Sequence, residues 1–146
     1  MKQKFWQDPL NWRIAVCILT SLLLLLELIP GSAVSAVNTA SGTSYVTGSF
    51  LLPNAFETSY YWLALLVTAS SWVMSVVGLL VLTRPRQWLV LARAVLLAGL
   101  TFNRYLLHGI PFSHTTFGYH LVPILVLLLL VASVPASVMQ CEEEQE

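Results

Sequence analysis

Four long apolar stretches, separated by shorter polar connections, dominate the hydrophobic pattern of the chain. A helix rises about 1.5 Å per residue, so about 20 mostly apolar residues are needed to cross a hydrocarbon core roughly 30 Å thick. Each stretch approaches or exceeds that length. The pattern therefore predicts four transmembrane helices, at about residues 12–29, 60–82, 87–108 and 119–139.

The ends of these stretches carry ordinary helix signals. Asp8 is a candidate N-cap, and the proline that follows it suits the first helical position. Pro30 and the glycine after it stop the first helix. Pro123 falls in the first turns of the fourth helix, where a missing backbone donor costs little, whereas Pro135 predicts a bend near its far end.

Composition supports a membrane protein and excludes several other classes. Hydrophobic residues make up 57% of the 146 residues and charged residues 10%, against about 25% charged in an ordinary soluble domain. The net charge is zero, and no basic stripe suggests a nucleic-acid partner. Cys17 and Cys141 provide neither a disulfide framework nor a metal motif. We expect one all-α, polytopic domain with the lipid bilayer as its surroundings.

The positions of lysine and arginine outside the spans predict how the chain is oriented. Basic residues precede or begin the first span and fill the turn between the second and third, namely Lys2, Lys4, Arg13, Arg84 and Arg86. The connections at residues 31–59 and 109–118 contain none. The positive-inside rule then places both termini in the cytoplasm and these two loops outside. The result is an antiparallel four-helix bundle in a bacterial inner membrane or an organelle equivalent.

A cleaved secretory signal is the alternative interpretation of the N-terminus. Lys2 and Lys4 precede an apolar stretch, and Val34-Ser35-Ala36 resembles a small-residue cleavage site. The leader would be long, however, and Glu27 interrupts its apolar part. We therefore favour an uncleaved membrane anchor.

The outer loop at residues 31–59 is longer than a simple connection needs to be. It is rich in threonine, serine, valine and glycine, and Ser41-Gly42 predicts the turn of a short β-hairpin. With almost no charge, the loop is expected to lie across the bundle or against a neighbouring protein. The last residues, 140–146, form an acidic tail that is expected to be solvated and disordered.

Small side chains repeat along one line of the second span. Steps of four, three, four and three residues put Ala64, Thr68, Ser71, Ser75 and Gly78 on one helix face. Small residues let helix backbones approach closely in lipid, so the line predicts a helix-packing seam. A polar ligand groove along the same line is the alternative.

Charged residues inside the spans predict a polar cluster near the outer leaflet. Glu27 in the first span and Arg104 in the third lie at similar depths, and intramembrane charges usually pair. We expect the two to share one pocket, with Asn103 and His108 close by. The pocket is interpreted as a structural clamp, or alternatively as a site for a quinone, a lipid head group or a proton path. Arg93, nearer the inner end, is expected to snorkel to the head groups.

Three histidines also gather at the predicted outer side. His108 ends the third span, His120 begins the fourth, and His114 lies between them. Facing histidines of a bundle can hold haem, or a chlorophyll-type pigment. The spacing of six matches no standard metal motif, and no carboxylate or thiol is near in sequence. We therefore predict hydrogen-bonding residues, with His108 and His120 as candidate cofactor ligands and no metal site.

The sequence carries none of the common catalytic or phosphate-binding motifs. We therefore assign no catalytic residue and favour a non-catalytic accessory or structural subunit of a larger membrane complex, of respiratory or photosynthetic type. Other membrane-protein subunits would be its partners. Two alternatives stay open: a small membrane enzyme or carrier with its site at the outer polar cluster, and a homo-oligomeric pore or effector.

Overall fold

The computed structural model describes residues 5–49, 58–80, 87–107, 113 and 115–145. Within these residues the chain forms a short 3-10 turn at Phe5–Gln7, four α-helices and a two-stranded sheet. The elements, in chain order, are α1 (Pro9–Leu28), β1 (Ala33–Thr39), β2 (Gly42–Gly48), α2 (Thr58–Leu80), α3 (Gln87–Leu107) and α4 (Phe117–Gln145). The prediction of a mainly helical chain is confirmed.

The first helix begins where its capping signal lies. The carboxylate of Asp8 accepts a hydrogen bond from the backbone nitrogen of Leu10 at 2.9 Å, with Pro9 at the first helical position. Its other end turns into extended backbone at Ile29, whose nitrogen donates to the carbonyl of Leu26. The helix therefore starts three residues before the predicted span and ends one residue before its predicted end.

Three of the helices are long and apolar enough to cross a membrane. They are Pro9–Leu28, Trp62–Leu80 and Phe117–Met139, with mean hydropathies of 1.8, 2.0 and 2.6. Among the described side chains of α3, the apolar part is shorter and runs from Trp88 to Phe102. A fourth crossing by α3 stays a prediction.

The helices pack side by side around an apolar core. α1 and α3 each contact both α2 and α4. In α1 the buried positions are Val16, Thr20, Leu23 and Glu27, which follow steps of four, three and four. The other face of α1 is apolar but exposed, with Ile14, Ile18, Leu22 and Leu25 on the outside. A helix that is apolar on its outer face is typical of a protein surrounded by lipid.

The chain between α1 and α2 contains the predicted hairpin. β1 and β2 pair antiparallel, from Ala33 opposite Gly48 to Thr39 opposite Gly42. The turn is formed by Ala40 and Ser41, one position earlier than predicted. Gly42 begins β2 with a φ of +126°, which side chains with a Cβ rarely adopt, and this explains why the glycine follows the turn.

The base of the hairpin is fixed against the helices. The nitrogen of Gly31 donates to the carbonyl of Gly48 at 2.8 Å, and the hydroxyl of Thr116, just before α4, donates to the carbonyl of Gly31. Ala33 and Val34 are buried, whereas residues 38–44 at the far end are exposed. The hairpin therefore projects from the end of the helices.

The fourth helix runs past its predicted span and into the acidic tail. It continues without interruption through Pro123 and Pro135 and ends at Gln145, with Glu142 exposed. The prediction of a disordered tail is therefore wrong for residues 140–145, whose backbone continues α4.

Candidate functional site

The small-residue line of α2 lies inside the protein. Ala64, Thr68, Ser71 and Ser75 are buried and Gly78 is half-buried. The hydroxyl of Ser71 donates to the carbonyl of Val67, and that of Ser75 to the carbonyl of Ser71. Such bonds within one helix satisfy these hydroxyls without a partner on a neighbouring helix. Thr68 differs, because its hydroxyl also contacts α1.

That contact is with Glu27, the buried acid of α1. Its side chain is 1% exposed, and its Oε1 atom lies 2.9 Å from the Thr68 hydroxyl. Its Oε2 atom has no hydrogen-bond partner among the residues that the structure describes. A buried polar atom without a partner is unusual and calls for a physical explanation.

A groove lies at the C-terminal end of α1, close in sequence to Glu27. It has a volume of about 330 Å³ and opens between the end of α1 and the start of α4. The residues that line it are Leu26, Ile29, Pro30, Gly31, Ser32, Thr116, Phe117, Gly118 and Leu121. The Ser32 hydroxyl in this lining lies 3.3 Å from the main-chain carbonyl oxygen of Glu27 and 2.9 Å from that of Ile29. The groove floor is thus adjacent to the residue that carries the buried acid.

The predicted partners of Glu27 are only partly described. Asn103 and Arg104 lie in the helical backbone of α3, but their side chains are outside the described part of the chain. His108 is outside the described residues altogether. The pairing of Glu27 with Arg104 therefore stays a prediction.

His120 is half-buried at the start of α4. Its Nε2 atom lies 2.7 Å from the hydroxyl of Thr115, and its ring meets the Tyr119 ring edge-on at 5.6 Å. His108 and His114 are outside the described residues, so the candidate ligand pair of His108 and His120 is not tested. Among the described residues, no group of three or more histidine, cysteine or acidic side chains could hold a metal.

Arg93 on α3 is directed at the neighbouring helix. Its Nη1 atom donates to the carbonyl oxygen of Ser70 on α2 at 3.3 Å and also contacts the sulfur of Met74. The sequence predicts snorkelling toward head groups, yet the contacts described for this guanidinium are with α2. A main-chain carbonyl offers a hydrogen-bond acceptor within reach, and this can hold one of the guanidinium's donors inside the protein.

A polar contact between α1 and α2 adds to those predicted from the sequence. The indole nitrogen of Trp72 donates to the Ser21 hydroxyl at 2.8 Å, and Ser21 donates to the carbonyl of Cys17 at 2.7 Å. One signal was available, because Trp72 falls near the middle of its span. Tryptophan in membrane helices is enriched at the two interfaces, so a central one indicates a specific partner.

Comparison with known proteins gives no match: no protein-family model, no curated protein and no solved structure resembles this chain. Functional arguments therefore depend on the geometry of its own residues. Two features of the described residues are relevant to function: the exposed hairpin and the buried acid at the end of α1.

Proposed function

We propose that this chain is a four-span membrane protein that serves as a non-catalytic accessory subunit of a larger membrane complex. Both termini would lie on the cytoplasmic side of a bacterial inner membrane or its organelle equivalent. Three apolar helices of spanning length support the membrane location. The absence of lysine and arginine from residues 31–59 and 109–118 supports the orientation.

The projecting hairpin is the observation that carries the subunit role. Residues 38–44 are exposed and contain no charged side chain. A two-stranded hairpin is marginally stable on its own in water. Its outer edges also present backbone groups that the ladder between β1 and β2 does not use, and such edges pair readily with a strand of another protein. An uncharged hairpin of this kind suits a partner surface better than open water.

The experiment that tests this role is purification of the full chain in mild detergent, with and without a changed hairpin. Val46 on β2 is 38% exposed. Val46→Lys places a charge on the hairpin, and Val46→Thr is the matched control of similar shape. We expect companion proteins in fixed stoichiometry with the unaltered chain and with Val46→Thr, and their loss with Val46→Lys. Equal recovery of companions with both variants would contradict the role given to the hairpin.

A second candidate function is a small membrane enzyme or carrier with its polar site near the outer leaflet. The buried Oε2 atom of Glu27, which has no hydrogen-bond partner among the described residues, favours it. In that case Arg104→Ala would remove activity and leave the helices folded. A native mass equal to a ring of identical chains would instead favour the homo-oligomeric pore.

A further inference from the structure

The hydrogen bonds of Glu27 and Thr68 indicate whether the carboxyl group carries a proton. The Thr68 hydroxyl lies 2.9 Å from Glu27 Oε1 and 2.8 Å from the main-chain carbonyl oxygen of Ala64. A hydroxyl has one proton to donate, while an ionised carboxylate and a carbonyl can only accept. With Glu27 ionised, one proton would have to serve both acceptors. With a proton on Glu27, the acid donates to Thr68 and Thr68 donates to Ala64, so each contact has a donor.

The surroundings of the carboxyl group agree with a neutral acid. Its side chain is 1% exposed, and Oε2 has no partner in the described part of the chain. An ionised carboxylate accepts hydrogen bonds through both oxygens, and burial without them is costly. A proton removes the charge and most of that cost. A proton needs no cavity to bind, and Glu27 is not among the residues that line the groove.

Among the described side chains, the neighbouring elements contribute few charges near this position, and the side chain of Arg104 on α3 lies outside that described set. The described side chains of α2, residues 62–80, include no titratable or charged group. On α4 the titratable groups near this end are Tyr119, which is buried, and His120, which contacts Thr115. On α3, Arg93 contacts Ser70 and Met74 of α2.

The groove at the end of α1 lies beside the main chain of Glu27. Leu26 and Ser32 line the groove, and Glu27 lies between them in the last turn of α1. The Ser32 hydroxyl already contacts the main chain of Glu27 at 3.3 Å. The groove therefore borders the turn of α1 that holds Glu27, while the Glu27 carboxyl group is buried against Thr68 of α2 and does not line the groove.

We propose that Glu27 is a proton-binding site, whose buried carboxyl group takes up one proton and shares it with the hydroxyl of Thr68. In this step a carboxylate oxygen takes a proton from a hydronium ion, which leaves as water, and becomes a carboxylic acid with no redox change. The site would operate whether the chain acts as an accessory subunit or alone.

Carbodiimide labelling tests the site. Dicyclohexylcarbodiimide partitions into apolar surroundings and reacts with protonated carboxyl groups, whose proton it takes as the carboxyl oxygen adds to its central carbon. We expect the full chain in membrane vesicles to gain one label at Glu27 when the reagent is added in mildly acidic buffer. No label should form there when the reagent is added in alkaline buffer. Glu27→Gln is the matched control and should gain none there. A water-soluble carbodiimide should instead label exposed Glu142 in both chains.

An infrared difference spectrum between the unaltered chain and Glu27→Gln gives a second measurement. We expect a protonated carboxyl band in neutral buffer that Thr68→Val shifts, since that variant removes the acceptor of the proton. Absence of both the label and the band would overturn the proposal. So would labelling that appears only in Arg104→Gln, which would indicate an ionised Glu27 paired with Arg104. Protection of Glu27 by sodium at constant pH would overturn it as well, in favour of a cation site.

Discussion

Ser21 on α1 and Trp72 on α2 are joined by a hydrogen bond of 2.8 Å from the indole nitrogen to the serine hydroxyl. The same hydroxyl donates to the carbonyl of Cys17 at 2.7 Å. Each of these two hydrogen bonds therefore joins one donor to one acceptor. The pair therefore fixes the axial position of α1 relative to α2. Apolar contacts are non-directional and would not fix it in this way.

Loss of this hydrogen bond should lower the stability of the helix pair. Trp72→Phe keeps an aromatic ring and removes the donor, and we expect the free energy of unfolding to fall by about 1 kcal/mol. Trp88→Phe, at a tryptophan that is 51% exposed, is the matched control and should change it little. Unfolding of the purified chain by a denaturing detergent measures both. Equal losses would show that the hydrogen bond contributes nothing specific.

Two adjacent leucines of α1 should differ sharply when shortened. Leu23 is fully buried, whereas Leu22 is 48% exposed. We expect Leu23→Ala to cost roughly 2 kcal/mol or more, because it leaves a cavity between helices. Leu22→Ala loses mainly contact with lipid or detergent and should cost much less. The same detergent titration separates them, and a larger effect at Leu22 would contradict the packing of α1.

Thr68 and Ser71 lie on the same face of α2 but have different partners. Thr68→Val deprives Glu27 of the contact at Oε1 and leaves a buried polar group unsatisfied, at an expected cost of about 1–3 kcal/mol. Ser71→Ala removes a hydroxyl whose hydrogen bond, among the described residues, is to the carbonyl of Val67 within its own helix, and should be nearly neutral. Comparable unfolding free energies for the two variants would argue against an energetic role for the Glu27 contact.

Two glycines should respond oppositely to an added methyl group. Gly42 has a φ of +126°, so Gly42→Ala is expected to destabilise the hairpin by about 1–3 kcal/mol. Gly99 lies within α3 with nothing within 4 Å of an added Cβ, and Gly99→Ala should stabilise the helix by up to about 1 kcal/mol. Amide hydrogen exchange would detect faster exchange in β1 and β2 for the first variant. Unchanged hairpin protection would contradict the strained conformation.

The proposed orientation predicts opposite accessibility at the hairpin and the tail. In a chain with Cys17 and Cys141 changed to serine, Ser41→Cys should react with a membrane-impermeant thiol reagent added outside intact cells. Glu142→Cys should react only after the membrane is opened. Both residues are exposed in the structure, so access to the reagent depends on the side of the membrane. Labelling of both cysteines from the outside, or of the tail cysteine alone, would contradict the proposed topology.

The helical elements could be predicted from the sequence because length and capping determine them locally. The predicted third span, 87–108, and α3 begin at the same residue, and α1 begins at the residue after the predicted cap, Asp8. The hairpin was also predictable, from Ser41-Gly42 between segments that carry threonine and valine. Its turn differs by one position, because strand pairing and the φ of Gly42 decide which residues reverse the chain.

The contacts between helices could not be predicted in the same way. A helical repeat shows which residues share a face, but not which residue on the next helix meets them. The contact between Thr68 and Glu27 and that of Arg93 with Ser70 both depend on how far one helix has shifted along another. The pairing predicted for Glu27 and Arg104 depends on the same shift, and the side chain of Arg104 lies outside the described ones.

The short connection between α1 and the hairpin has a mechanical consequence. Only residues 29–32 separate the end of α1 from β1, and the Gly31–Gly48 and Thr116–Gly31 hydrogen bonds brace that connection from two sides. The hairpin is therefore held firmly against the end of α1 and is not joined to it by a flexible linker. A protein that bound the tip of the hairpin would transmit force to the last turn of α1, where Glu27 lies.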